Sequence, residues 1–164
     1  MKELLDKLSS YNIFNYLLPG VLFATLVDAL TSLLVLQKDI VVGFFVYYFL
    51  GSVVSRIGSL FVEPLLHKIG VITYAPYEDY ICAEKTDQKL EVLLEINNMY
   101  RTICSLMLCV GVVVLYDLAS IRWPILHSVA PSVLIIGLFA LFLLSYKKQT
   151  TYITKRIEAN KPLV

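Results

Sequence analysis

Three ionisable side chains, Asp28, Arg56 and Asp117, interrupt stretches that are otherwise apolar, and a fourth, Glu63, closes one of them. A charge at the centre of a bilayer costs about 2.5–3.5 kcal/mol on insertion scales, so such a residue faces protein or a water-filled path. Asp28 is the costliest. It falls about 12 Å from the outer end of the first predicted helix, at ~1.5 Å rise per residue. Thr25, Thr31 and Ser32 lie near it in the chain. Two chemistries fit: a carboxyl on an ion or proton path, or a polar clamp hydrogen-bonded between helices. Arg56 falls about 24 Å along the second predicted helix, near its cytosolic end. Glu63 follows on the same helical face. The pair reads as a charged ring at the inner mouth of an oligomeric pore. It reads equally as a boundary salt bridge that sets helix depth, with Arg56 snorkelling to the interface. Asp117 falls close to the outer surface, where water reaches it more easily.

These residues do not assemble into a catalytic set. Tyr116-Asp117 is similar to one half of an intramembrane aspartyl protease site, but the Gly-x-Gly-Asp half is missing. His67 and His127 fall on opposite sides of the predicted bilayer and cannot share a metal. No His-Glu-x-x-His, phosphate loop or dinucleotide fingerprint occurs. Cys82, Cys104 and Cys109 lack metal-ligand spacing and read as free thiols. The expectation is a non-enzymatic chain with no cofactor and no metal.

Two surfaces could carry contacts instead. Gly51, Ser55 and Ser59 recur every fourth residue on the second predicted helix, with Gly43 and Gly58 beside them. A groove of small side chains lets helices approach closely in lipid, where no hydrophobic force drives them together. It serves an oligomer contact or pore lining, or packing within one chain. The second surface is the polar middle of the chain, 63–101. Acids outnumber bases there, which argues against anionic headgroups or nucleic acid as ligands. Tyr74, Tyr77, Glu78, Asp79 and Tyr80 make it the expected docking surface for a cytosolic protein, because interfaces favour tyrosine. Those tyrosines also suit a resting place at the membrane interface.

The elements that position these residues follow from composition. The chain is 58% hydrophobic and only 16% charged, with net charge +1. Soluble domains run at about 45–50% apolar and about 25% charged, so lipid must cover part of this one. Two apolar blocks, 13–62 and 102–146, are each about twice the ~20 residues that cross a ~30 Å hydrocarbon core. The expected fold is an all-α membrane protein: four transmembrane helices as two hairpins, with a cytosolic helical segment, 63–101, between helices two and three. The first helix is expected to reach Leu36 and the second to span Ile40 to Val62. Pro64 should open a short helix stopped by Gly70. Pro76 with Glu78 and Asp79 marks another helix start. From Asp87 a helical pattern runs without a break into the third membrane helix, and the fourth spans Ser128 to Tyr146. Residues 1–12 read as an amphipathic surface helix carrying Leu4, Leu5 and Leu8 on one side. Residues 147–164 form a basic tail. Lysines and arginines crowd the N-terminus, the middle segment and the tail, against only Lys38 and Arg122 at the hairpin turns. The positive-inside rule then puts both termini and the middle segment in the cytosol.

The stretches Ser10-Tyr11-Asn12-Ile13-Phe14-Asn15-Tyr16-Leu17-Leu18-Pro19-Gly20 and Ser55-Arg56-Ile57-Gly58-Ser59, with Glu63-Pro64, carry a resemblance. The chain resembles small four-helix bacterial inner-membrane proteins, some of which are membrane parts of antiphage defence systems. That resemblance, of architecture and size, implies a place in the bacterial inner membrane and no site residues. The leading expectation is an oligomeric membrane protein acting in defence or stress, by leaking ions or by perturbing or reporting the membrane. One rival is a membrane anchor or sensor that recruits a cytosolic partner through 63–101. Another is a structural accessory subunit of a larger membrane complex.

Overall fold

The computed structural model describes residues 13–87 and 89–160, so the amphipathic segment expected over 1–12 and the end of the tail lie outside the described residues. Those described form helices and no strand. A π turn, Ile13–Leu17, leads into α1, Leu18–Leu30. After an extended stretch comes α2, Ile40–Ile57, which passes through a second π turn, Gly58–Val62, into α3, Glu63–Lys68. α4 is Tyr77–Glu84, α5 is Lys89–Arg122 and α6 is Ile125–Ala159. Three continuous helical rods are long and apolar enough to cross a membrane: Ile40–Lys68, Lys89–Arg122 and Ile125–Ala159, of 29, 34 and 35 residues. The apolar helix Asn15–Leu30 is shorter.

Both π turns stand just ahead of a proline, Pro19 and Pro64, each the second residue of the helix that follows. A proline has no N–H for the carbonyl four residues back, and its ring clashes with that carbonyl. Widening the turn to i→i+5 bonding moves the carbonyl aside and keeps the rod continuous. Thus the Glu63 N–H bonds to the carbonyl of Gly58. Pro64 stands in the first turn of α3, as the sequence suggested, and the π turn keeps that short helix continuous with α2. Gly70, at φ +77°, ends that rod in the left-handed conformation glycine tolerates.

The core is small. Val27, Val54, Leu106 and Val110 form it, so α1, α2 and α5 make the packed centre. Hydroxyls knit the same faces. Ser105 Oγ, fully buried, donates to the Val54 carbonyl at 2.9 Å, and Thr102 Oγ1 lies 3.4 Å from Ser55 Oγ. α1 and α2 touch backbone to backbone. A Cβ on Gly20 would sit 1.7 Å from the Tyr47 carbonyl oxygen, and one on Gly51 would sit 1.7 Å from that of Tyr16. The crossing is reciprocal, built from two Tyr-x-x-x-Gly pairs, Tyr16–Gly20 and Tyr47–Gly51. α6 lies at the edge: only 6% of its most apolar stretch is buried.

One expectation fails. The first helix does not reach Leu36. It ends at Leu30, and 31–39 run without helix to α2. Along this stretch Leu33 and Val35 pack on the core cluster while Leu34, 89% exposed, and Leu36 point away. That is the period-two alternation of an extended chain.

Candidate functional site

About 20 residues cross the hydrocarbon core. Counted from the turn ends of the three long rods, at Ile40, Arg122 and Ile125, the far boundary falls near Ser59, Thr102 and Ser145. All three are buried hydroxyl residues. Just past that level the chain gathers its strongest polar cluster.

Glu63 is the hub. Its carboxylate accepts from Arg101 at 2.7 Å and lies 3.7 Å from Lys148 Nζ. The three side chains keep only 15%, 21% and 26% of their surface exposed in the order Glu63, Arg101, Lys148. Three rods meet there: the end of α2 with its π turn, the middle of α5, and α6. The π turn explains Lys148. With the Glu63 N–H drawn back to Gly58, the Ser59 carbonyl would next look to residue 64, and proline has no N–H to give. Lys148 Nζ supplies the missing donor, at 2.6 Å to the Ser59 carbonyl and 2.9 Å to its Oγ. The ammonium also sits 5.6 Å from the centre of the Tyr152 ring. Arg56 is on the same side and donates to Tyr16 Oη at 3.1 Å. Arg101 and Lys148 flank one carboxylate and Arg56 stands beside the same Ser59–Lys148 contact, so the cluster is cationic in sum. Tyr74 stacks on His67 with ring centres 6.0 Å apart. Desolvation of its hydroxyl, and next the charge of Glu63, hold that hydroxyl above the ordinary tyrosine range.

Arg56 and Glu63, expected together on one face, are thus separate in contact. Glu63 pairs with Arg101 and Lys148, whereas Arg56 bonds a tyrosine of the α1 side. Gly43, Gly51, Ser55, Gly58 and Ser59 are all buried within the single chain. Gly43 lies beside the Tyr47 ring and Gly58 against Ser105 and Arg101.

Asp28 belongs to a second polar site at the opposite end. Because α1 ends early, Asp28 stands near a helix terminus rather than mid-span. Its Oδ1 accepts from the N–H groups of Val35 and Leu36, at 3.1 and 3.3 Å. Asp117, 8% exposed, accepts from the Ser32 N–H at 3.1 Å and from Ser32 Oγ at 2.6 Å. Tyr47 Oη accepts from the Gln37 N–H, Thr31 Oγ1 from the Leu33 N–H, and Asp39 caps the start of α2. Side chains here take up the backbone N–H groups that a helix ladder would otherwise use.

The middle segment splits by face. Ile81 is buried and Tyr77 and Tyr80 are half-buried, turned toward the bundle, while Glu78 and Asp79 are exposed. Tyr80 donates to Glu84, and Glu84 pairs with Arg156 of α6 at 2.8 Å. Burial, and next the bond to Glu84, raise the Tyr80 hydroxyl above its usual range. Tyr74 is exposed over about half its surface.

Sequence reasoning missed Lys148, Arg101, Tyr16 and Gly20 as site or contact residues. Pro64 was the one local signal for Lys148, since it leaves a carbonyl without a donor. Among the described residues no group of acidic, histidine or cysteine side chains could hold a metal. No family model matches the chain, and comparisons with characterised proteins and with solved structures return no match either.

Proposed function

We propose that this chain is a multi-pass protein of the bacterial inner membrane that anchors or senses for a cytosolic partner. It crosses four times as two hairpins, α1 with α2 and α5 with α6, with both termini and 63–101 in the cytosol. The positive-inside pattern supports this orientation, and the Glu63–Arg101–Lys148 cluster then lies at the inner boundary. The observation that carries the anchor reading is how the intramembrane polar groups are used. Asp28, Asp117 and Arg56 each bond within the chain. The exposed face of α4, with Glu78 and Asp79, has no such use among the described residues.

Two experiments test this. A membrane-impermeant maleimide added to intact spheroplasts should leave the exposed Cys82 unlabelled, and opening the membrane should expose it. Labelling from outside would reverse the topology. Affinity purification of the full-length protein from its own cells should retain a cytosolic protein that Glu78→Lys with Asp79→Lys releases. Equal yield from both forms, or no bound protein, would remove the anchor reading.

The uncovered apolar face of α6 supports a second reading, a homo-oligomer. If the oligomer encloses a path, the chain is an ion-leak effector in defence or stress, in line with the resemblance noted above. Liposomes holding the purified protein would then release a trapped dye or ion. Tight liposomes would exclude a constitutive leak. An accessory subunit of a larger membrane complex would use the same α6 face against a different chain.

A further inference from the structure

A groove of about 420 Å³ runs between Leu60-Phe61 and α6, just beside the Glu63 cluster. The α6 side is one helical stripe: Leu144, Lys147, Lys148, Thr151, Tyr152 and Lys155. Helical spacing stacks these residues on a single face over about 16 Å. The stripe is graded. Leu144 lies at the hydrocarbon boundary reached about 20 residues from Ile125, and the lysines follow beyond it. Phe61 and Leu144 are exposed on the apolar half. Lys147 and Lys155 are exposed on the polar half, and among the described residues neither forms an ion pair. Lys148 is already committed to Ser59 and Glu63.

This is the profile of an amphiphile with a negative head. Cations sit about one to three turns beyond an apolar wall, on the side where a headgroup would lie. The cluster behind the groove adds positive charge, because Arg56, Arg101 and Lys148 exceed Glu63. An acidic peptide would pair with the lysines but leave the apolar half unfilled. A second copy of this chain would set like charges against each other.

We propose that this groove is a binding site for an anionic glycerophospholipid of the inner leaflet. Lys147 and Lys155 take the phosphodiester, and one acyl chain lies along Phe61 and Leu144. The proposal rests on the orientation proposed above, which puts this end of α2 and α6 at the inner leaflet. It stands apart from any soluble partner, whose loss on changing Glu78 and Asp79 would leave lipid binding untouched.

The test uses full-length protein in neutral detergent and native mass spectrometry with phosphatidylglycerol or phosphatidylcholine of equal chain length. The expected result is preferential retention of phosphatidylglycerol. Lys147→Gln with Lys155→Gln should weaken it about 30-fold, or about fivefold for each lysine alone, the scale of one basic residue at an anionic surface. Unchanged thermal unfolding in the absence of added lipid reports that the variants fold, and the single variants carry the test if the double one does not. Lys85→Gln with Lys89→Gln, on the middle segment, should change nothing. Equal retention of both lipids would overturn the proposal. So would an equal loss in the Lys85/Lys89 variant, which would mean diffuse charge attraction. Competition by inorganic phosphate at the same concentration as the lipid would reduce the site to an anion site and overturn the lipid assignment.

Discussion

The crossing of α1 and α2 can be broken with a single methyl group. Gly51→Ala sets a Cβ 1.7 Å from the Tyr16 carbonyl oxygen, a backbone atom that cannot swing away. Restoring ordinary contact means parting the two helices by roughly 1.5–2 Å, since contact minima lie near 3.5 Å. A gap of 0.5–1 Å already forfeits about a quarter to a half of the dispersion well along the whole interface. In lipid no hydrophobic term refills that loss. We expect a cost of about 3 kcal/mol, the upper end of the usual overpacking range. Gly20→Ala should cost a similar amount, because its Cβ would meet the Tyr47 carbonyl at the same distance. The double variant should cost clearly less than the sum, since the first methyl has already parted the helices. The assay is reversible unfolding in mixed micelles, followed by circular dichroism, with mass by light scattering in parallel. If Gly51 instead served an oligomer, the variant would lose mass at unchanged single-chain stability. A loss under 1 kcal/mol with additive variants would refute the close crossing altogether.

Three further outcomes follow from the polar contacts. Asp117→Ala removes both acceptors of Ser32 and should cost about 2–3 kcal/mol, as for hydrogen bonds to a charged group; Asp117→Asn keeps a carbonyl acceptor and should cost less, which thermal unfolding would rank. Lys148→Met leaves the Ser59 carbonyl buried without a donor, at about 1–3 kcal/mol, and amide exchange should rise first across Gly58–Val62. Arg156→Gln breaks an ion pair whose arginine is 53% exposed, so global stability should move by less than about 1 kcal/mol. Exchange within α4 should nonetheless quicken, and an unchanged α4 would mean that the Glu84 contact does not hold it.

The long rods were legible in the sequence because length and apolar character alone define them. The helix from Lys89 into the membrane and the start of α4 after Pro76 also stood out, through periodicity and proline placement. The extended stretch after Leu30 did not. Its inward residues, Leu33 and Val35, are apolar because they meet the core. Its outward residues, Leu34 and Leu36, are apolar too, so the alternation that marks an extended chain in water is erased. What pulls the chain out of the helix is tertiary: Asp28 and Asp117 compete for the N–H groups that the helix would use, and Asp117 comes from a residue far along the chain. The site was half legible for the same reason. Glu63 was visible as an acid beside a proline, but its partners Arg101 and Lys148 looked like topology markers among other basic residues. The reciprocal glycine crossing hid because Gly20 sits next to Pro19 and reads as a simple break.

Intramembrane charge in this chain therefore has a structural logic that differs at its two ends. At the turn end, Asp28 and Asp117 face backbone N–H groups. Each carboxylate accepts two hydrogen bonds, at about 1.5–3 kcal/mol apiece for a charged acceptor. These bonds satisfy backbone N–H groups that the missing helix ladder leaves open, so the non-helical cap persists. At the segment end, the proline-driven π turn exposes one carbonyl, Lys148 answers it, and Glu63 answers Lys148 and Arg101 together. That chain of need runs from a missing N–H in α3 to a cation on α6, and it ties the edge helix to the bundle at one fixed height. It also leaves Lys147 and Lys155, on the same stripe, free to meet the membrane. The residue that locks α6 in register and those that would read the lipid share one stripe of the helix. Lipid binding and the packing of α6 should therefore be coupled: Lys148→Met should weaken phosphatidylglycerol retention although Lys148 keeps no charge free for the headgroup, and intact retention in that variant would separate the two.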